Sequence, residues 1–597
     1  MKRFLIGTLA FIGAMSVLFV VGLVGLMVLA SASGPRIPSN IVLELDLEDP
    51  LPEYVLNDSL SGAFGEDPTT VRDVVDALEK AGDDPRVKSL VARVGNPGSA
   101  AAAQEIRDAV KAFRAKGKKA VAYADTFGEQ GNSTVGYYVA SAFDEVYIQP
   151  SGDLNITGLA FETPFAREAF AKLGVTPRFQ KRAEYKNAVN TYTEQGYTAP
   201  HREAMERFTQ SLFGQMVRGI AEDRKLPEDV VRGLIDRAPL FGPEAVDAKL
   251  VDGLRYRDEV MDAVKKDAGA DAELLYAHKY LDRAGRPHTS GDTIALVYGV
   301  GGVSRGKSQS NPLGGGQVMG GDSVAAALRK ATEDSRVKAI VFRVDSPGGS
   351  YVASDTVRRE VQRAKDAGKP VIVTMGTYAA SGGYFVAMDA DRIVAQPGTL
   401  TGSIGVYSGK FVTEAFWERL GVNFETIAAG RNATMNSSDT DFTPEQLSRA
   451  EAVMDHIYAD FTKRAAAGRK MPLEKLQGLA KGRVWTGEDA LTHGLVDALG
   501  GYPKALALAK ELAKLPADAR VNVQEYPRKK TTSEVLSELL GGTGENSEDD
   551  VTSVSVLSPW APLLKGVRGV YSLGARMGLF EQQRGALYAP VPQASWE

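Results

Sequence analysis

Two stretches of this chain, 250 residues apart, are near copies of one another, and a fold built by duplication is what the sequence constrains most. Residues 87–94 read VKSLVARV and residues 337–344 read VKAIVFRV, an offset of 337 − 87 = 250. The helix-like ALEKAGDDPRV at 77–87 is answered by ALRKATEDSRV at 327–337. GYYVASAFDEVYIQP at 136–150 matches GYFVAMDADRIVAQP at 383–397, and KLVDGL at 249–254 matches GLVDAL at 494–499. The polar residues have diverged between the copies. The second carries Ala-Ser-Gly-Gly at 380–383, where the first has Ser-Thr-Val-Gly at 133–136. The first carries Tyr-Lys-Asn-Ala at 185–188, where the second has Asn-Ala-Thr-Met at 432–435. Each copy keeps a different part of a site.

Within each copy, apolar strands alternate with helical patterns. Helices are expected at 71–81 and 103–115 and at 323–331 and 353–366, with strands at 41–47, 87–94 and 119–123 and at 293–300, 337–344 and 370–375. That alternation predicts βαβ units and an α/β fold with a mainly parallel sheet. The expected organisation is a first domain over 34–265, a linker over 266–292, a second domain over 293–530, and a low-complexity segment with a tail over 531–597. The glycine-rich run 308–322 reads as a flexible loop, and the tail regains apolar and aromatic residues that suit it to dock on the body.

Residues 1–33 form the address label. After Lys2 and Arg3, residues 4–32 carry no charged side chain. As a helix rising about 1.5 Å per residue they would cover about 40 Å, more than a hydrocarbon core of about 30 Å. The leading cations favour a cytoplasmic N-terminus, which places the rest of the chain on the extracytoplasmic side of an inner or plasma membrane. The competing reading is a cleaved signal peptide, with Ala-Ser-Ala-Ser at 30–33 as the cleavage stretch.

Composition excludes several chemistries. There is no cysteine, so thiolate metal sites, disulfides and cysteine nucleophiles are absent. A net charge of −5 gives no basic footprint for nucleic acid. The five histidines fall in no metal-binding motif and beside no candidate nucleophile. No cofactor or metal is expected.

The chemistry concentrates in the second copy. Ser381 sits where a loop enters an apolar helix, and the two glycines after it permit unusual dihedrals and close packing. Asp-Ser-Pro-Gly-Gly-Ser at 345–350 follows a buried strand, and Gly348 and Gly349 could aim backbone N–H groups into the same cleft. With the N–H of Gly382 they would make an oxyanion hole. Ser346 and Ser350 read as turn and helix-cap residues, while Ser133 and Thr134 of the first copy lack the glycine pair.

Strand-DSPGGS followed by YAASGGY and then GTLTGSIGV at 398–406 resembles the signal peptide peptidase A family in its long, two-copy form. The resemblance implies two tandem Clp-protease/crotonase-like domains behind one transmembrane helix. It implies Ser381 as nucleophile and Lys186, in AEYKNAVN, as general base, with Asn187 where the family motif has serine. Ser403 is a supporting candidate, and Lys181 and Lys410 are fallback bases. A lysine can take a proton only if its pKa falls well below about 10.4, which burial can achieve. Glu184, if close, would oppose that fall. The implied activity is hydrolysis of short apolar peptides such as spent signal peptides, and the implied assembly is a homo-tetramer. Two other classes stay open at this level: a crotonase-type acyl-CoA enzyme and a non-catalytic membrane-associated scaffold.

Overall fold

The computed structural model describes residues 37–55, 68–129, 131–269, 271–311, 316–528 and 586–588. The duplication is visible in its strand order. In the first half the sheet runs Gly253–Leu254, Glu145–Ile148, Lys119–Ala124, Val87–Val94, Ile41–Leu47, Glu273–Tyr276, all parallel. In the second half the same order recurs as Ala498–Leu499, Arg392–Ala395, Val371–Ala380, Val337–Ser346, Asp292–Val300, Val521–Tyr526, again all parallel. The chain is thus α/β with mainly parallel sheets.

The central strands are buried along nearly their whole length, as Val87–Val94 and Val337–Ser346 illustrate. Continuous apolar runs of this kind suit a parallel sheet covered on both faces. The covering helices begin where the sequence offers caps. Thr70 caps Val71–Asp83 and Ser350 caps Tyr351–Asp366, each accepting a backbone N–H of the first turn.

Three segments differ from the sequence expectation. Residues read as a linker carry strand Glu273–Tyr276, which pairs with Ile41–Leu47, and helix Ala277–Ala284, whose Tyr280 is fully buried. Long-range pairing with the edge of the first sheet overrides their polar composition. The glycine-rich run carries strands Gln309–Asn311 and Gly316–Gly320, paired antiparallel. Strand Val371–Ala380 continues five residues past its predicted end and so reaches Ser381 directly. The apolar segment 1–33 and residues 531–555 lie outside the described residues. Among the described residues, no helix is long and apolar enough to cross a membrane.

The halves are packed as one body. Ala380, Leu400 and Val484 of the second half belong to the hydrophobic core of the first. Between the halves, the Gln104 side chain accepts from the Gly398 N–H (2.7 Å) and Ser99 hydrogen-bonds Thr377 (2.7 Å). Arg343 is buried against two carboxylates of the first half, Glu53 and Glu105, each at 2.8 Å. Glu105 also accepts the Tyr502 N–H at 2.6 Å. Most decisive for the site, strand Thr176–Arg182 of the first half pairs antiparallel with Val406–Val412 of the second, Arg182 opposite Val406.

Candidate active site

That inter-half ladder ends four residues before Lys186 and three residues after Ser403, so it delivers the lysine of one copy to the serines of the other. The backbone past the ladder is held by the Tyr185 N–H donating to the Lys481 carbonyl (3.1 Å) and the Gly482 N–H donating to that of Ile404 (2.8 Å). Gly482, at φ +82°, faces Lys186 so closely that a side chain there would collide with the lysine backbone.

Lys186, Ser381 and Ser403 are each 0 % exposed. Lys186 Nζ lies 2.7 Å from Ser381 Oγ, 3.0 Å from Ser403 Oγ and 3.1 Å from the Ser403 carbonyl, all within one chain. Burial alone drives the amine's pKa well below its usual value. Glu184 does not oppose that shift, because its carboxylate pairs with Lys481 at 2.8 Å. The fallback bases are engaged elsewhere: Lys181 donates to the Asn190 side chain (2.7 Å) and Lys410 to the Thr440 carbonyl (2.6 Å). His201, the histidine in the same region of the first half, contacts Asn190 at 3.3 Å, and burial lowers its pKa to about 4.

Ser381 occupies φ +55°, ψ −113°, at the junction of strand Val371–Ala380 and helix Gly382–Ala387. A non-glycine residue there costs roughly 1–3 kcal/mol and is held by its surroundings. Its N–H donates to the Gly402 carbonyl (2.8 Å). Ser403 is likewise at positive φ, +50°, with its N–H on the Arg483 carbonyl (2.7 Å). The strain orients both hydroxyls toward one amine.

The glycines follow from the crowding. A Cβ on Gly382 would meet Ser354 Oγ at 2.8 Å and Gly349 N at 2.9 Å, and one on Gly383 would strike the Ser346 carbonyl. The Gly382 and Gly349 amides are therefore neighbours beside Ser381. Gly382 is the first residue of its helix, so its N–H has no intrahelical acceptor. The Gly348 N–H points to Ser346 Oγ at 3.2 Å. Asp345 braces the approach by accepting the Tyr378 N–H at 2.8 Å. In the first copy the corresponding hydroxyl, Thr134, is consumed by Asn132 (2.6 Å) and the Gly158 N–H (3.0 Å).

All six candidate residues named from sequence (Lys186, Gly348, Gly349, Ser381, Gly382 and Ser403) gather at this junction. Sequence reasoning missed Gly482, Gly402 and Ser354. Gly482 is a single glycine whose partner, Lys186, lies far away in sequence, and nothing local marks it, whereas Gly402 sits inside GTLTGSIGV, directly before Ser403.

A buried serine at a strained strand–helix turn, in a duplicated α/β chain, falls in the class of serine peptidases. The chain belongs to peptidase family S49, which matches residues 112–271 and 363–516. It is 31% identical over 477 residues to "Serine protease SPPA, chloroplastic" of Arabidopsis thaliana, covering 78% of this chain and 69% of that one. It is also 31% identical over 521 residues to "Protease 4" of Salmonella typhi, covering 85% and 81%. Among solved structures, a mutant of the membrane-bound stomatin-specific protease 1510-N in complex with a substrate peptide is similar at 17% identity and a TM-score of 0.25, over 42% of this chain and 99% of that one.

Proposed function

We propose that this serine peptidase works through a Ser381–Lys186 dyad split between its two copies, and that it is a membrane-anchored endopeptidase for short apolar peptides, cleaved signal peptides among them. What carries the dyad assignment is the 2.7 Å contact between a fully buried amine and the Ser381 hydroxyl. No carboxylate contributes to the shift of that amine, so its neutral form is the favoured one. A neutral amine has two N–H donors and one lone pair. The donors suit Ser403 Oγ and the Ser403 carbonyl, which leaves the lone pair for the Ser381 hydroxyl proton.

The chemistry then balances. Ser381 Oγ attacks the peptide carbonyl as Lys186 takes the hydroxyl proton. The N–H groups of Gly382 and Gly349, with Gly348 beside them, receive the developing oxyanion. Collapse breaks the C–N bond, and Lys186 returns its proton to the leaving amine. A water molecule, deprotonated by the same amine, attacks the ester on Ser381; the C–O bond breaks, Lys186 returns that proton to Ser381 Oγ, and the acid is freed. Ser403 positions Lys186 throughout.

The two copies are assigned as tandem crotonase-like domains, the first, which takes in Glu273–Tyr276 and Ala277–Ala284, giving the lysine and the second the serine. The apolar segment 1–33 supports an anchor that holds the cleft at the extracytoplasmic membrane surface, close to spent signal peptides. A homo-tetramer is the proposed assembly. The test is cleavage of a detergent-solubilised apolar peptide by the full chain. Ser381→Ala and Lys186→Met are each expected to lower the rate by at least about a thousandfold while leaving the fold intact. A Lys186→Met protein that retains most of the activity overturns the dyad.

A further inference from the structure

Strand Val371–Ala380, which carries Ser381 at its end, does not pair evenly with strand Val337–Ser346. The register runs from Ile340 opposite Val371 to Val344 opposite Met375, then jumps to Ser346 opposite Ala379, so Asp345 alone faces Gly376, Thr377 and Tyr378. A bulge of this kind bends its strand and re-aims the residues after it. Side chains hold this one along its length. Thr399 donates to the Gly376 carbonyl (2.8 Å), Thr377 hydrogen-bonds Ser99 of the first half (2.7 Å), and Thr401 donates to the Ala379 carbonyl (2.7 Å). Asp345 accepts the Tyr378 N–H (2.8 Å), and the Thr377 N–H also supports its charged form.

Asp345 also belongs to the other wall of the site. Gly348 and Gly349 follow it closely in sequence, and its own carbonyl is fixed by the Gly301 N–H at 2.9 Å. One residue thus joins the turn of Ser381 to the turn of the oxyanion donors. The first copy supplies a contrast. There the equivalent position, 345 − 250 = 95, is Gly95. Strand Lys119–Ala124 pairs with Val87–Val94 in even register, from Ser89 opposite Lys119 to Arg93 opposite Tyr123. The copy without a nucleophile carries neither the aspartate nor a bulge in that pairing.

We infer that Asp345 is a positioning residue of the reaction: its carboxyl group fills the bulge and fixes the Ser381 turn against the oxyanion donors at Gly348 and Gly349. This rests on the Ser381 cleft being the peptidase site. Glu53 of the first half, Arg343 of the same strand and Tyr378 of the neighbouring one face the carboxyl, and Glu105 stands behind Arg343. Glu53 and Asp345 close together on Gly376, where a Cβ would lie 2.8 Å from Glu53 Oε1 and 3.0 Å from Asp345 Cβ. Burial first, and then the Glu53 charge, pushes the Asp345 carboxyl up to about 7. Between an unfolded value of about 3.9 and that pH the native chain binds the extra proton, so the stability drawn from this group falls as pH rises through the window. At pH 8 an uncharged side chain would serve the fold better. What the carboxyl supplies there is position.

The test measures cleavage of the detergent-solubilised apolar peptide, and fluorophosphonate labelling of Ser381, in full-length chains at about pH 8, above the raised Asp345 value. Asp345→Ala removes the acceptor, and the misplaced Ser381 turn should lower kcat by about a hundredfold with KM little changed. Asp345→Asn keeps an oxygen for the Tyr378 N–H and offers its NH2 to Glu53, so it should recover activity to within about threefold of wild type. Thermal melts at the same pH should place Asp345→Asn no lower than wild type and find Asp345→Ala folded at the assay temperature. Labelling rates should follow the order of the cleavage rates. A wild-type chain that takes the label but cleaves no peptide would fail the peptidase reading alone, with the order of labelling still deciding the role of Asp345. An Asp345→Ala chain that keeps wild-type kcat, a loss confined to KM, or an Asp345→Asn chain as slow as Asp345→Ala overturns the inference.

Discussion

Gly482 stands so close to Lys186 that a Cβ added to it would fall 2.6 Å from the lysine Cα. The backbone of the second copy is the wall against which the first copy's lysine is pressed. Gly482→Ala must therefore shift one of the two backbones, at an overpacking cost of about 1–3 kcal/mol. Because the shift moves Nζ away from Ser381, peptide cleavage is expected to fall at least about a hundredfold, more than the loss of stability explains. Parallel thermal melts and cleavage assays check this, and wild-type activity in the variant contradicts it.

Lys186 also sets a pH dependence of stability. Its pKa is depressed in the fold, so below about 10.4 the unfolded chain binds a proton that the native chain does not. Its contribution to stability is therefore fully present above that pH and is lost as pH falls through the folded value. Each unit of depression corresponds to about 1.4 kcal/mol. Lys186→Met removes the effect, so denaturant titrations should find the variant more stable than wild type at pH 7, with the gap narrowing toward pH 10. A gap that does not change with pH contradicts a neutral buried amine.

Ser403→Ala tests positioning. It removes the hydroxyl 3.0 Å from Nζ and leaves the carbonyl contact. Loss of one such hydrogen bond at a buried polar group costs about 1–3 kcal/mol. A fall of about 10- to 100-fold in kcat is expected, with KM little changed and the acid limb of the pH–rate profile, where Lys186 loses its proton, displaced. A change confined to KM would place Ser403 on the substrate instead.

Much of this was legible before the structure. The paired strands at 87–94 and 337–344, the serine turn and the glycine pair at 348–349 announce themselves locally, because periodicity and glycine clusters are short-range signals. The state of Lys186 was not legible. It depends on burial beneath residues 403–404 and 482 and on Glu184 turning to Lys481, which are contacts more than 200 residues apart in sequence. The pairing of Thr176–Arg182 with Val406–Val412 was equally hidden, since neither strand is strongly alternating and neither has its partner nearby. The connector at 266–292 misled for the same reason: its strand exists only because the edge at Ile41–Leu47 is there to receive it.

Arg343 ties the halves together from the strand that leads to Gly348 and Gly349. Both Glu53 and Glu105 lean on its buried guanidinium, and their charges hold its pKa above the usual arginine value. Arg343→Ala strands two buried carboxylates and should cost about 3–5 kcal/mol. Glu105→Gln should cost less, because a partner remains for the arginine. Chemical denaturation of the two variants checks the order; a reversed order contradicts a structural role for this cluster.

The most direct measurement is the rate at which a fluorophosphonate modifies the full-length protein as a function of pH, with the labelled residue identified by mass spectrometry. An uncharged Lys186 amine activating Ser381 predicts a single adduct on Ser381. The rate should rise about tenfold per pH unit on the acid limb and reach its plateau well below pH 10, and Lys186→Met should abolish it. An adduct on another serine, or undiminished labelling of Ser381 in Lys186→Met, would contradict the account.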